Sequence, residues 1–217
     1  MSLRVIFSLM LSTLLLAGCA QRPSYDYSNF KESRPTSILV LPPVNHSPDV
    51  KAGASLQSQI TFPLAESGYY VLPVAVTNET FRQNGVTEAT DIHALPTQKL
   101  HEIYGADTAL YLDIKDYGTS YLLISSATVV TASARLVDLR TGKLLWEGTA
   151  SASSAEQQSN SGGSLIGMLV VAVVNQIVDT VTDKGHEIAG ITSFRLLSAD
   201  MPNSILYGPY SPKYQKK

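Results

Sequence analysis

The sequence predicts an α/β (α+β) fold: a single three-layer-like domain with a mixed sheet. Three features predict it, namely a βαβ start, an antiparallel meander after residue 107, and a long apolar helix toward the C-terminus. The 217 residues are 44% hydrophobic and 16% charged, which is typical of a globular chain with one sizeable core. A formal net charge of -2 offers no concentrated basic surface, so we expect no nucleic-acid partner.

The βαβ start is predicted from three consecutive segments. Residues 38–41 form a short apolar run that ends at a pair of prolines, as in a strand buried on both faces. Apolar residues then recur at helical spacing over 52–67, with Pro63 expected to kink the helix or end its regular part. Residues 69–74 are a second apolar strand, and this order predicts parallel pairing of the two strands.

Two further helices are predicted before the meander. The first has a start signal at Thr77 or Asn78 and a stop at Gly85. The second is capped by Thr97. Its apolar face consists of Leu100, Ile103 and Tyr104.

Beyond residue 107 the hydrophobic period changes to two, which predicts an antiparallel meander. Leu110, Leu112 and Ile114 alternate with polar residues, a turn over 138–143 lets Gly142 take a positive φ, and residues 144–153 form a third strand. One face of the middle strand consists of Val130, Ala132, Ala134 and Leu136. The small side chains on that face leave room for a closely packed helix.

The helix predicted to fill that place is the apolar segment 163–181. Its unbroken apolar run, residues 165–174, is too short to span a membrane. A helix buried on the sheet is one interpretation, and a surface that enters a membrane or packs between subunits of a ring is the other. Residues 186–198 continue helically, with Ile188, Ile191 and either Phe194 or Leu196 facing inward.

The N-terminus has the pattern of a signal peptide over residues 1–18. One basic residue precedes an apolar block over 5–16, which is too short to span a hydrocarbon core of about 30 Å. The block ends in the string Leu16-Ala17-Gly18-Cys19, which looks like a bacterial lipobox.

Cys19 is the only cysteine, and we predict that it is the lipid attachment point. In lipoboxes of this kind the cysteine takes a diacylglyceryl thioether, cleavage occurs before it, and the new amino group is acylated. Several acyl chains on one residue give stable anchoring in a membrane. Ala20, where some lipoproteins have Asp, resembles the sorting pattern for the outer membrane. The alternative is a buried structural cysteine behind a signal anchor.

The predicted domain organisation has a lipidated tether over 19–37, the folded domain over 38–200, and a tail rich in proline and tyrosine over 201–217. The aromatic residues of the tether either belong to a spacer or dock on the domain or a partner; they are Tyr25, Tyr27 and Phe30. The tail either drapes over the domain or presents a docking segment, and its removal is expected to leave the domain folded. Its candidate docking residues are Tyr207, Pro209, Tyr210, Pro212 and Tyr214.

No catalytic, metal or cofactor site is predicted. The histidines at 46, 93, 101 and 186 form no His-x-x-x-His pair, and the single cysteine is assigned to lipid. Ser164 lacks the Gly-x-Ser-x-Gly context of a nucleophile elbow. Asp113 and Asp116, three apart on a strand, are expected on opposite faces. Trp146 is interpreted as a core aromatic, with a ligand platform as the alternative.

Several segments together resemble one family of bacterial lipoproteins of unknown function, whose members include a neisserial surface-antigen candidate. The segments are the lipobox, "SILVLPPVN", "GYYVLPVAVTNETFRQNGVT", "LVDLRTGKLLWEG" and "LYGPYSP". The resemblance implies a fold like the amino-terminal domain of TolB. It also implies kinship with the curli-secretion lipoprotein CsgG and with the lipoprotein that activates penicillin-binding proteins. No catalytic residues come with it.

The function expected from these observations is that of a non-catalytic interaction or assembly module, anchored in the outer membrane and facing the periplasm. Its expected partners are the membrane, through lipid on Cys19, and other envelope lipoproteins of the CsgG type or further copies of itself. The alternative is an envelope ligand-binding protein or enzyme acting on glycan or peptide. Its site would be a cleft at the carboxyl ends of the strands, near Asn45, His46 and Asn78.

Overall fold

The computed structural model describes residues 25–121, 126–159 and 184–215, and within them seven helices flank a six-stranded mixed sheet. The helices are α1 Ser28–Ser33, α2 Ala52–Glu66, α3 Val74–Gln83, α4 Ala89–His93, α5 Thr97–Tyr104, α6 Ser154–Ser159 and α7 Lys184–Leu197. The strands are β1 Ser37–Val40, β2 Val44–Asn45, β3 Tyr70–Val71, β4 Thr108–Tyr121, β5 Ser126–Asp138 and β6 Leu144–Ser153. Their order is β3-β1-β4-β5-β6, with β2 also paired to β4. The predicted α/β (α+β) class is confirmed.

The parallel half of the sheet is the predicted βαβ unit. β1 pairs in parallel with β3 on one side and with β4 on the other, and α2 makes the crossover to β3. Ile38, Leu39 and Val40 have no exposed surface, because helices cover both faces of β1. α2 continues through Pro63 and ends one turn later, before Gly68 takes a positive φ of 92°.

Two helix starts differ from the sequence prediction, and proline explains both. α3 begins at Val74 rather than at Thr77 or Asn78, since Pro73 stands directly before it and accepts the first amide hydrogen bonds. Pro96 likewise occupies the position before α5, so Thr97 lies inside the first turn and makes no side-chain cap. Ile103, predicted to face inward, is 47% exposed. α4 was not predicted.

The antiparallel half is the predicted meander, β4–β5–β6, with Gly142 at φ 71° in the last turn. A β-bulge interrupts β4 between Ile114 and Asp116. Asp113 and Asp116 therefore pair with Ser133 and Thr131, which are two residues apart on β5. The expectation that the two carboxylates point to opposite faces is wrong, because the bulge adds one residue between them.

Each face of the sheet has its own core. The larger one lies under α2 and α7 and includes Ile60, Leu112, Ala134, Trp146 and Ile191. The smaller one lies under α3, α4 and α5; its members include Leu39, Phe81, Ile92, Leu100 and Tyr111. This arrangement gives the three layers that the sequence predicted.

A helix does pack on the small residues of β5, and it is α7. The hydroxyl of Thr192 on α7 is buried and donates to the carbonyl oxygen of Val130, 3.1 Å away. The segment 163–181, predicted for that place, lies outside the described residues. Within the described part of the chain, no helix is long and apolar enough to cross a membrane.

Candidate functional site

The segment before β1 packs on the domain. Phe30 of α1 is 4% exposed and belongs to the larger core, with Tyr25 and Tyr27 packed against it. The Tyr27 hydroxyl donates to the carbonyl oxygen of Ser204, in the C-terminal tail. Of the two interpretations of these aromatics, the described residues show docking on the domain. The described part of the predicted tether, from Tyr25 to residue 37, is therefore part of the folded domain and not a flexible spacer.

Asp138 ties α1 to the turn between β5 and β6. Its carboxylate accepts hydrogen bonds from the Ser33 hydroxyl and from the amides of Arg140 and Thr141, both at 2.9 Å. Burial raises the pKa of Asp138, but these hydrogen bonds together outweigh that effect, so its pKa lies below the ordinary value. The ionised carboxylate holds the N-terminal segment in place.

The C-terminal tail, residues 201–217, is built into the fold as far as residue 215. Ile205 is buried in the larger core, and the indole nitrogen of Trp146 donates to the carbonyl oxygen of Asn203 at 2.8 Å. The tail amides of Gly208 and Tyr210 donate to carbonyl oxygens of the loop after α2, at 2.8 and 3.1 Å. Trp146 is thus a core aromatic, as interpreted, and the tail drapes over the domain. Removal of the tail would take Ile205 out of the core, so the expectation that the domain stays folded without the tail is not supported.

The five candidate docking residues divide into two groups. Those that line a groove are Tyr207, Pro209 and Tyr214. The other two, Tyr210 and Pro212, face solvent, and Tyr210 is 68% exposed.

A small ionic cluster fixes the end of the tail. The ammonium of Lys213 donates to Asp200 at 2.7 Å and lies 5.1 Å from the centre of the Tyr207 ring. The Tyr207 hydroxyl also donates to Asp200. The hydrogen bonds from Lys213 and Tyr207 lower the pKa of Asp200 from its ordinary value.

The groove lies between α1 and the tail and has a volume of about 940 Å³. Its walls are mainly aromatic and aliphatic; they include Tyr27, Phe30, Tyr69, Met201, Leu206 and Tyr214. The Tyr69 hydroxyl donates to the carbonyl oxygen of Leu206, and burial raises its pKa. Three cationic side chains also line the groove, those of Lys31, Arg34 and Lys213. This lining suits an apolar or anionic amphiphilic group.

The polar cleft predicted for a ligand or substrate is not formed by its three residues. Asn78 of α3 exchanges two side-chain hydrogen bonds with Gln57 of α2, at 2.8 and 3.2 Å. The Asn45 amide bonds within its own turn, to Ser47 and Asp49. The imidazole of His46, just after β2, lies 3.5 Å from the carboxylate of Asp113 on β4. Each of the three side chains is paired with a different neighbour, so the three do not converge on one pocket.

Sequence reasoning did not find a hydrogen-bonded chain between α2 and α7. The Tyr117 hydroxyl donates to the Ser55 hydroxyl oxygen at 2.8 Å, and that oxygen lies 2.9 Å from Nδ1 of His186. Residues 55, 117 and 186 are so far apart in sequence that no spacing motif could reveal the cluster. The side-chain amide of Gln59 lies 2.6 Å from Nε2 of the same histidine, so the chain joins α2, β4 and α7.

The described residues contain no group of three or more His, Cys, Asp or Glu side chains that could hold a metal ion. The lipobox residues Leu16, Ala17, Gly18 and Cys19 lie outside the described residues. The candidate site is therefore the groove with the tail that borders it.

Three comparisons place the chain among known proteins. Residues 25–210 match the family described as "Putative lipoprotein GNA1162-like". The Neisseria meningitidis serogroup B protein named "Putative lipoprotein NMB1124/NMB1162" is 49% identical over 208 residues, which cover 95% of this chain and 96% of that protein.

Among solved structures, the crystal structure of lipoprotein GNA1162 from Neisseria meningitidis is 54% identical. It matches with a TM-score of 0.56 over 67% of this chain and 100% of that one. The C-terminal domain of LpoB from Salmonella enterica is 17% identical, with a TM-score of 0.39 over 55% of this chain and 83% of that one. The chain belongs to the GNA1162-like lipoprotein family.

Proposed function

We propose that the protein is a non-catalytic interaction and assembly module of the cell envelope, anchored in the outer membrane by lipid on Cys19 and facing the periplasm. Membership of a lipoprotein family and the string Leu16-Ala17-Gly18-Cys19 support the anchor. Residues 1–18 are then the signal peptide that is removed. Tyr25, six residues after Cys19, already packs against the larger core.

The observation that carries the assembly role is the fixed, outward-facing Tyr210. Its side chain is 68% exposed although its amide is held by the carbonyl oxygen of Gly68. Large aromatic side chains on a rigid backbone lose little entropy on binding and are typical anchors of protein interfaces. Pro212, also exposed, follows Tyr210. The partner surface is the outer side of the tail, and its partners are other envelope lipoproteins, of the CsgG type, or further copies of this chain.

The experiment is crosslinking in cells, followed by affinity purification of the lipoprotein from gently solubilised membranes. We expect a specific envelope protein to be recovered with the wild-type chain and to be lost with Tyr210→Ala. Ile103→Ala is the matched control, since it truncates a partly exposed apolar side chain on α5, on the other face of the sheet. Retention of the partner by Tyr210→Ala would remove the tail from the proposal, and recovery of the monomer alone would remove assembly.

The anchor is tested separately by metabolic labelling with radioactive palmitate. We expect label on the wild-type protein and none on Cys19→Ala. Label on Cys19→Ala would show that Cys19 is not the site of acylation.

A further inference from the structure

The groove lies close to the predicted lipid anchor. Cys19 and Tyr25 are six residues apart, a distance of at most about 20 Å for an extended chain. Tyr25 is fixed on the domain, where its hydroxyl accepts a hydrogen bond from the amide of Glu147, and Tyr27 already lines the groove. A lipid on Cys19 therefore holds the membrane surface near this side of the domain.

The groove walls have the composition of a membrane interface. Tyrosine rings and aliphatic side chains favour the boundary between hydrocarbon and headgroups, where an apolar body and a polar tip are both accommodated. Four tyrosines line the groove, at positions 27, 69, 207 and 214, together with Phe30 and Met201. The phenols of Tyr27 and Tyr69 donate to backbone carbonyl oxygens, so their rings present apolar surface to the groove.

The charged residues that line the groove are all cationic. They are Lys31, Arg34 and Lys213, and none of the described residues lining it is acidic. Asp26 acts on Lys31 through space and Asp200 bonds Lys213, which offsets part of this charge. The chain has a net charge of -2, but the charged side chains that line the groove are positive and attract anionic headgroups.

We propose that this groove binds an anionic phospholipid of the membrane that carries the anchor. The lipid phosphate lies among Lys31, Arg34 and Lys213, and its glycerol and upper acyl chain lie against the tyrosine rings. The opening of the groove then faces the membrane, and Tyr210 and Pro212 are not among the residues that line it. Lys51 directly precedes α2, at the end of that helix opposite the tail, and Lys115 lies at the bulge of β4, beside β2. Both are exposed and neither lines the groove. Which membrane supplies the lipid depends on the proposed anchor at Cys19. The binding of an anionic phospholipid in the groove does not depend on it.

The test is co-sedimentation of the unacylated mature chain, residues 19–217 with Cys19→Ser, with two kinds of vesicle. One contains phosphatidylglycerol and phosphatidylcholine, and the other phosphatidylcholine alone. We expect binding to the anionic vesicles, at least about tenfold weaker for Lys31→Glu/Arg34→Glu, because each cation near an anionic surface contributes severalfold. Lys51→Glu/Lys115→Glu makes the same charge change at the other end of the domain and should bind like the parent chain. Thermal unfolding of each variant verifies that it is folded.

Three results would overturn the proposal: equal binding to neutral vesicles, an equal loss in the control variant, or complete displacement by millimolar inorganic phosphate at constant ionic strength. The last would identify a site for free phosphate rather than for lipid. Because the chain carries no acyl group in this experiment, its outcome is independent of palmitate labelling at Cys19. The two proposals can therefore fail separately.

Discussion

Gly208 crosses the end of α2 so closely that a Cβ on it would lie 2.3 Å from the carbonyl oxygen of Gly68. Gly68 in turn has a φ of +92°, and a Cβ there would lie 2.4 Å from the amide nitrogen of Ser211. Neither distance is compatible with a side chain. The tail therefore reaches its position only because both crossing residues are glycine.

Replacing Gly68 by alanine should destabilise the protein and loosen the tail. We expect a loss of about 3 kcal/mol in the free energy of unfolding, from the left-handed backbone together with the steric clash. Gly85→Ala is the control, since Gly85 has a φ of +78° but nothing within 4 Å of its Cβ position. It should lose only about 1 kcal/mol. Urea unfolding measures both, and equal losses would show that the crossing is not tight.

Trp146 should report the attachment of the tail by its fluorescence. It is the only tryptophan, is 1% exposed, and donates to the carbonyl oxygen of Asn203. Deleting residues 201–217 should shift its emission to longer wavelength and cost about 2 kcal/mol or more, because buried Ile205 is lost as well. Tyr210→Ala, which truncates an exposed side chain, should leave the emission unchanged. An unshifted emission after the deletion would mean that Trp146 is shielded without the tail.

The central fold was predictable because its signals are local and repeated. Leu110, Leu112 and Ile114 alternate along β4, and each is buried on the same face. The bulge after Ile114 was not predictable, since an extra residue in a strand leaves no mark in composition. Ile103 fits the apolar side of α5 by spacing, yet no described neighbour covers it completely, and it remains 47% exposed.

The candidate site was predictable only in part. Tyrosines and prolines identified the tail, but which of them face inward depends on the crossing of Gly68 and Gly208, two residues far apart in sequence. Phe30 is a single apolar residue in a polar segment, so no periodicity reveals that it is buried. Burial at both chain ends is decided by tertiary contacts, which a local pattern does not contain.

Lys213→Gln should free the end of the tail without changing global stability. The substitution removes the charge that binds Asp200 and lies over the Tyr207 ring. Exposed ion pairs contribute little to unfolding, so we expect an unchanged unfolding midpoint but faster hydrogen exchange at the amides of residues 213–215. Lys99→Gln breaks a comparable exposed pair, with Glu102 on α5, and should leave the tail amides unaffected. Equal tail exchange in both variants would show that the ionic cluster does not hold the tail.

Asp138 should make the stability of the protein depend on pH in the acid range. Its pKa in the folded state lies below its ordinary value of 3.8, so the ionised carboxylate stabilises the fold above that pH. This contribution is lost as the pH falls through the folded-state pKa. Asp138→Asn should lose about 1–2 kcal/mol at pH 7, because the amide replaces a charged acceptor of three hydrogen bonds.

The difference in unfolding free energy between wild type and Asp138→Asn should therefore be constant from pH 7 down to about 5 and shrink below about pH 4. Urea unfolding across this range measures it. Asp116→Asn, at an exposed carboxyl group on β4, serves as the control and should stay close to wild type throughout. A difference between wild type and Asp138→Asn that does not change with pH would show that the hydrogen bonds to Asp138 act through geometry alone, without a preference for the ionised carboxylate.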